Sequence, residues 1–554
     1  MSIMKCKEAM MKILNAEGVE YVFGISGATE AHFMDALEDH PEIKYRLCLH
    51  ENTAVGMAEG YARASDKTAF VNLHTGTGLA SSLGMLNNCF NGGVPVVVTA
   101  GQQDTRLHAS EPALYDNLVK IASPFTKWGT EIQQAADLPM IMRRAFRVAA
   151  HPPAGPVFVS LPQNILTEEI DFEYEKGAPS YTAIHPDMES IKIAVELLSK
   201  AKNPMLIVED GVAKNNALAE VVKFAEQIGA RVHQAWMADV NFPVNHPQYL
   251  YDININSLTA REMIKKADVL VVIGALFFGQ VIYVPQSLVT SSTKVIQIDN
   301  NPWQIGKNYP VDCGIEGNIK VAVADITKAL EDKITAKARK DIISRIEAIS
   351  LEKAAMVKIF KDKADSEKNN TPISGTRLMT EIAGAMHPGT RIVDDCWSYS
   401  DILRRTVPFS EPKSFMRARR GGSIGWGLSG ALGVKLGGPS LPVICVSGDG
   451  SAMWNIQSFW TAAHYNIPVT FIVISNGCYR QVRLTKSLLM GEKAKGRNLG
   501  TNLCQPQTDF CKTAESMGVS SRKVEKPSQL TYALKEAFAL NEPNLVEVIV
   551  DPAL

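Results

Sequence analysis

The chain carries no surplus of charge of either sign. Its 57 basic and 58 acidic residues leave a formal net charge of -1, so the positive field that nucleic-acid binding requires is missing. Local basic clusters such as Lys337-Ala338-Arg339-Lys340 stand between acids and read as a solvated helix face. Long apolar runs are missing too. The longest, around residues 269–278, falls far below a membrane span, and the segment with Lys5, Lys7 and Lys12 reads as an amphipathic helix without a continuous apolar signal core. The nine cysteines are odd in number and lack paired metal spacing. They read as reduced thiols of a cytoplasmic protein, with Cys89 and Cys445 buried. No His lies four residues beyond His50-Glu51, which sets a zincin aside. No G-x-G-x-x-G stands at a strand end of the middle third, so no cofactor is expected there. There is no internal repeat and no low-complexity tract.

What is present is ordinary globular material, 46% hydrophobic and 21% charged over 554 residues, a length that predicts about three domains. Apolar strand-like runs alternate with helical stretches throughout, which predicts an α/β protein of three doubly wound parallel-sheet domains. The first covers residues 1–175, with strands at 21–23, 69–73, 94–99 and 157–159. A polar, Pro-containing linker, 175–187, leads to the second, residues 188–340, with strands at 205–208, 269–273 and 295–298. A charged helical connector reaches from 331 to about 370. The third domain, 371–554, has strands at 391–393, 441–447, 469–475 and 545–550.

Chemistry-bearing residues cluster at the ends of these strands. Gly448-Asp449-Gly450 follows the run Val443-Ile444-Cys445-Val446, and Asn476 follows the next strand. A carboxylate and an amide oxygen brought to one point suit a hard divalent cation such as Mg²⁺; Gly-Asp-Gly alone also fits a tight turn after a buried strand. Glu51 opens a small-residue helix, Ala54-Val55-Gly56-Met57-Ala58-Glu59-Gly60-Tyr61-Ala62, where an acid is favoured by the helix dipole alone and can equally serve catalysis. The strand at 69–73 runs into His74-Thr75-Gly76-Thr77-Gly78, read as a small-residue turn that lets a flat ring approach the backbone, with His74 facing the ligand or filling a structural role. Gly421-Gly422-Ser423-Ile424-Gly425 formally fits the serine-hydrolase elbow, but the preceding Met416-Arg417-Ala418-Arg419-Arg420 is too basic for the strand that should carry a nucleophile.

The spacing from Gly448-Asp449-Gly450 to Asn476 resembles the diphosphate-anchoring motif of thiamine diphosphate enzymes, with Ser475 where a first asparagine usually stands. Phe23-Gly24-Ile25-Ser26-Gly27-Ala28, Glu51, Asn72-Leu73-His74 and Val98-Thr99-Ala100-Gly101-Gln102-Gln103 extend the resemblance at the front of the chain. Gly421 to Gly427, Gly448 to Ala452, Trp460-Thr461-Ala462-Ala463 and Asn466-Ile467-Pro468 extend it at the back. The chain is similar throughout its length to the thiamine diphosphate-dependent 2-oxo acid decarboxylase and acetolactate synthase-like family, above all to its benzoylformate decarboxylase branch.

That resemblance implies a pyrimidine-binding first domain, a Rossmann-like central domain and a diphosphate-binding third domain. It makes thiamine diphosphate and Mg²⁺ the expected cofactors, held by Ile424, Gly448, Asp449, Gly450, Ser451 and Asn476. Asp449, Asn476 and the backbone oxygen of Cys478 would be metal ligands, Glu51 the cofactor-activating glutamate, and Ile424 the apolar prop beneath the bent cofactor. His74 matches an active-site histidine. Two positions depart from the decarboxylase pattern: Ala28 stands in place of a serine, as in benzaldehyde lyase, and Val281 in place of a second histidine. Thr29, Gln103, His108 and the basic loop 417–420 are possible substitutes, and residues 479–490 are expected pocket wall, although their apolar side chains equally fit a helix packed on the core. The implied reaction is decarboxylation of a 2-oxo acid, with making or breaking of 2-hydroxy ketones from aldehydes as the alternative. A site shared between two chains implies a homodimer or a homotetramer.

Overall fold

Strands covered on both faces are continuous runs of Val, Ile, Leu and Phe without polar alternation, and such runs are where the inner strands form, while edge strands such as Gly129–Glu131 and Ser520–Val524 are polar. The computed structural model describes residues 2–553 except 179–182, 256, 277–282, 284–286 and 419. Three six-stranded sheets result, together with a small antiparallel pair, Ser2–Lys5 with Glu169–Phe172. Lys5 therefore ends a strand, and the first helix, Cys6–Glu17, begins after it.

In the N-terminal sheet the spatial order is Lys44–Leu47, Tyr21–Gly24, Ala69–Leu73, Val96–Gln102, Val157–Pro162, Gly129–Glu131, every neighbouring pair parallel. The winding direction reverses between Tyr21–Gly24 and Ala69–Leu73. Helices must leave the sheet on opposite faces at such a reversal, so a crevice opens beyond the carboxyl ends of those two strands. The C-terminal sheet runs Phe415–Arg417, Arg391–Asp395, Val443–Gly448, Thr470–Ser475, Asn544–Ile549, Ser520–Val524, with its reversal between Arg391–Asp395 and Val443–Gly448. The central sheet runs Tyr249–Ile253, Arg231–Ala235, Met205–Val208, Val269–Ile273, Lys294–Asp299, Cys313–Glu316, all parallel. The predicted α/β class with three doubly wound sheets is what the chain adopts.

The backbone divides into two compact units. One comprises residues 1–180, 370–400 and 417–554. Its most intimate contact is between the helices Glu51–Ser65 and Trp426–Gly437, which lie side by side in the same direction: Gly56 faces Ser429, Gly60 faces Gly430, and Gly433 faces Met57 and Tyr61. Small residues bring the two backbones together, since a Cβ at Gly60 would stand 2.1 Å from the Gly430 oxygen and one at Gly433 1.9 Å from the Met57 oxygen. Thr53 Oγ1 donates to Asn455 Oδ1 (2.5 Å) and Asn455 Nδ2 to Ser429 Oγ (2.8 Å), closing the seam with polar bonds. Because the helices run in parallel, their first turns lie at one end, and these are the turns with Glu51 and with the Ile424-Gly425 entry.

The other unit comprises residues 181–369 and 401–416. The Ala336–Glu367 helix is 32 residues long, about 48 Å, and buries only Ile349 and Lys353. Lys353 Nζ donates to the carbonyls of Val244 and Tyr249, both at 2.7 Å. Burial lowers its pKa to about 8. Arg404 is buried against Asp252 (3.0 Å), which ties residues 401–416 into this unit. At the reversal of the central sheet, Glu209 accepts from the Leu276 amide (3.0 Å); Asp299, ending the strand Lys294–Asp299, is pushed up to about 7 by burial. Lys337, Arg339 and Lys340 are solvent-exposed. Among the described residues, no helix is long and apolar enough to cross a membrane.

Candidate functional site

Two strand ends flank the crevice of the N-terminal sheet. After Tyr21–Gly24 the chain turns through a short helical turn, Ala28–Glu30, and after Ala69–Leu73 it enters the helix Thr75–Gly92 with His74 as its N-cap. The turn expected at 75–78 is thus the first turn of that helix. Glu51 lies beside it: a Cβ at Gly78 would stand 3.0 Å from Glu51 Oε1. Gly78 N–H bonds the His74 carbonyl (2.9 Å), so Glu51 and His74 sit one helical turn apart. His50 caps the Glu51 helix by accepting from the Asn52 amide at 3.1 Å.

Glu30 organises this corner. Its carboxylate is 1% exposed and accepts from the Gly27 amide (2.8 Å), the Gly101 amide (2.9 Å), Thr29 Oγ1 (2.7 Å) and His74 Nδ1 (2.8 Å). Gly101 is required for this approach, because a Cβ there would stand 2.0 Å from Glu30 Oε1. A carboxylate can only accept, so His74 Nδ1 carries the proton of that bond and Nε2 is left for chemistry. The His74 side chain keeps 24% of its surface. Nothing in the sequence around Ala28-Thr29-Glu30 distinguishes this acid; two of its four partners, His74 and Gly101, lie 44 and 71 positions away.

The other half of the arrangement lies at the ends of the neighbouring strands Val443–Gly448 and Thr470–Ser475. Asp449 begins a single helical turn, Asp449–Ala452, and is 6% exposed. Its Oδ1 accepts from the Gly450 amide (2.8 Å) and its Oδ2 from the amides of Asn476 (3.0 Å) and Gly477 (2.6 Å). These bonds draw the Asn476-Gly477-Cys478 turn onto the acid. Burial pushes Asp449 up to about 6 against the opposing pull of those amides. Asn476 Oδ1 accepts from the Cys478 amide (2.9 Å), and the Cys478 carbonyl from the Arg480 amide (2.9 Å).

A cleft of about 310 Å³ opens on Asp449, walled by Gly450, Ser475, Tyr479, Asn502, Gln507 and Thr508 among others. Gly450 admits the Tyr479 ring, which a Cβ would meet at 2.5 Å, while a Cβ at Gly448 would project into open space. A buried carboxylate, amide and carbonyl oxygens and an open backbone cradle form a donor set that fits a hard cation with a phosphate. The 502–508 wall was not foreseen from the sequence, where it is an ordinary polar loop.

The remaining candidates are distributed unevenly. Ser451 is buried in the Asp449 turn and Ile424 is half-buried immediately before the Trp426 helix. Ala28 is exposed, and Thr29 is buried with its hydroxyl 3.1 Å from His74 Nδ1. Gln103 is engaged with Ala113 and Gln163, and His108 Nε2 with the Gln103 carbonyl. Arg417 is buried beside Asp394 (3.8 Å). Val281 and Arg419 lie outside the described residues. In the segment 479–490, Tyr479 lines the cleft, but the helix Arg480–Met490 buries none of its residues. Leu488 and Leu489 are exposed, so packing of that helix on a core is overturned. Cys89 and Cys445 are buried as expected.

Comparison with known proteins agrees with this geometry. Residues 4–121, 191–326 and 398–548 match the N-terminal TPP binding, central and C-terminal TPP binding domains of the thiamine pyrophosphate enzymes. The chain is 30% identical to a probable acetolactate synthase large subunit of Methanococcus aeolicus, over 99% of its length and 92% of the relative's. It is 29% identical to a benzoylformate decarboxylase of Pseudomonas aeruginosa, with 98% of each covered. The solved structure of a thiamine diphosphate-dependent 4-hydroxybenzoylformate decarboxylase of Rhodococcus jostii superposes with a TM-score of 0.85 at 25% identity, 99% of both chains covered. The chain belongs to the thiamine pyrophosphate enzyme family, as a thiamine diphosphate-dependent enzyme related to both acetolactate synthases and benzoylformate decarboxylases.

Proposed function

We propose that this enzyme decarboxylates a 2-oxo acid without oxidation, using thiamine diphosphate and Mg²⁺, and releases an aldehyde. The observation that carries the reading is the Glu30–His74 pair. With Nδ1 engaged by a buried carboxylate, the His74 ring has one orientation and one face left for proton delivery. A pocket that delivers a proton at the reacting carbon favours aldehyde release over addition to a second carbonyl.

When bound, thiamine diphosphate supplies an electron sink for the bond beside the substrate carbonyl. Asp449, Asn476 and the Cys478 carbonyl would hold Mg²⁺, and the backbone of 448–451 would face the diphosphate. Glu51, at the start of its helix, would exchange a proton with the aminopyrimidine ring, and Ile424 would support the cofactor. His74 Nε2 donates a proton to the product carbon or orients the substrate carboxylate. The acting unit is a homodimer or homotetramer in the cytoplasm.

A second reading, carboligation or acyloin cleavage, is favoured by Ala28, whose exposed methyl group offers no hydroxyl to a substrate carboxylate, and by the acetolactate synthases among the relatives. One experiment separates the two. The protein reconstituted with thiamine diphosphate and Mg²⁺ is given a panel of 2-oxo acids and acyloins, with CO₂ release and product identity both recorded. Aldehyde in proportion to CO₂ supports the decarboxylase. A 2-hydroxy ketone as the main product, or cleavage of acyloins without CO₂, refutes it in favour of the second reading.

A further inference from the structure

Asp395 closes the strand Arg391–Asp395 at the reversal point of the C-terminal sheet and is 1% exposed. Its Oδ2 accepts from the amides of Gly425 (2.9 Å) and Gly427 (3.1 Å), the N-cap and second residue of the Trp426 helix. Its Oδ1 accepts from the indole Nε1 of Trp397 (2.9 Å). Capping a helix requires only the first set of bonds. The second belongs to a residue with φ +42°, a left-handed conformation that a bulky aromatic side chain adopts only where its surroundings impose it. The guanidinium of Arg417 stands over the same ring at 5.9 Å.

We infer that Asp395 is a positioning residue for the cofactor. One carboxylate sets the Ile424-Gly425 turn and, through the indole N–H, the Trp397 ring two residues beyond its own strand. The inference rests on the reading of Ile424 as the residue that supports thiamine diphosphate. A buried acid whose three hydrogen bonds all fall on one strand-end turn and one helix entry leaves Ile424 little freedom. Asp395 itself touches neither substrate nor cofactor; it acts through Ile424 and Trp397.

The test is a double-mutant cycle on the full-length protein stripped of cofactor. Thiamine diphosphate affinity is measured by calorimetry in excess Mg²⁺, alongside the melting temperature of the cofactor-free protein. Trp397→Phe keeps an aromatic ring and removes the N–H; it should weaken binding about tenfold and, because the bond is already made without cofactor, lower the melting temperature of the cofactor-free protein only modestly. Asp395→Asn should weaken it further, and Trp397→Phe should add little in that background, because both changes break one bond. Equal affinity of Trp397→Phe and wild type overturns the inference, as does full additivity of the two changes. If Asp395→Asn fails to fold, the Trp397→Phe affinity alone decides. A wild-type protein that binds no thiamine diphosphate in Mg²⁺ overturns the cofactor reading and the inference with it, whereas tight wild-type binding with indifferent variants overturns the inference alone.

Discussion

Replacing Gly433 with alanine puts a methyl carbon 1.9 Å from the Met57 oxygen and 2.7 Å from the Tyr61 nitrogen. Both neighbours are helix backbone, which cannot swing aside as a side chain can, so the Trp426 and Glu51 helices must separate. Overpacking of this kind costs about 1–3 kcal/mol, and contact with backbone points to the upper end. Alanine regains about 1 kcal/mol of helix propensity over glycine, leaving a net loss of about 2 kcal/mol. Gly384, in the Gly375–Ala385 helix, is the matched control, because a Cβ there meets nothing within 4 Å. Gly384→Ala should stabilise by about 0.4–1 kcal/mol. Thermal melts of the two variants and wild type should therefore bracket the wild-type midpoint, Gly433→Ala below and Gly384→Ala level or above. The two helices carry Glu51 and the Ile424 turn at their starts, so displacing them should lower thiamine diphosphate affinity in Gly433→Ala and leave it unchanged in Gly384→Ala. A Gly433→Ala protein that melts at or above the Gly384→Ala protein refutes the close-packing argument.

Glu51→Gln should suppress turnover without abolishing diphosphate binding, and calorimetry beside an activity assay checks both halves; full turnover would remove Glu51 from its assigned role. Glu30→Gln presents an NH₂ to donors where an oxygen accepted, so it should cost about 1–3 kcal/mol in folding stability and lower kcat more than it raises KM, readable from melts and steady-state kinetics. Asp449→Ala should abolish Mg²⁺-dependent cofactor retention, and removal of the divalent ion by chelation from wild type should have the same effect, reversed by adding Mg²⁺ back; loss of bound cofactor on gel filtration is the readout. Asp395 is held up to about 7 by burial, above the ~3.9 of an unfolded aspartate. The folded state therefore holds the extra proton between those values, and the stability this group contributes is full below pH ~4 and lost as pH rises to about 7, by at most ~4 kcal/mol. The difference in melting temperature between wild type and Asp395→Asn across that range should follow this slope and flatten above it; a difference independent of pH would contradict it.

Much of the fold was legible because a parallel sheet buried on both faces leaves an unbroken apolar trace. The strands Ala69–Leu73, Met205–Val208 and Val269–Ile273 fall where that trace alone put them. Asp449 and Asn476 could be paired from the sequence because they terminate neighbouring strands in one register, so spacing along the chain stands in for proximity in space. Where chain spacing carried no such information, the sequence was silent or misleading. Glycines at 76 and 78 read as a turn, yet the N-cap at His74 and the packing of the first turn beside Glu51 make the segment helical. The apolar residues of 479–490 fitted a pocket wall or a helix packed on the core equally well; Tyr479 lines the cleft, and the helix Arg480–Met490 buries none of its side chains.

The sequence by itself determined the alternation of strands and helices, the cation-suited oxygens and the helix-opening acid, because each is written in residues a few positions apart. Only the tertiary structure decided that Glu30 orients His74, that Asp395 joins Trp397 to the Ile424 turn, and that bare glycines set two distant helices backbone to backbone. Those are contacts between segments far apart in the chain, and a lone buried carboxylate or a glycine shows its purpose only when its partners stand beside it.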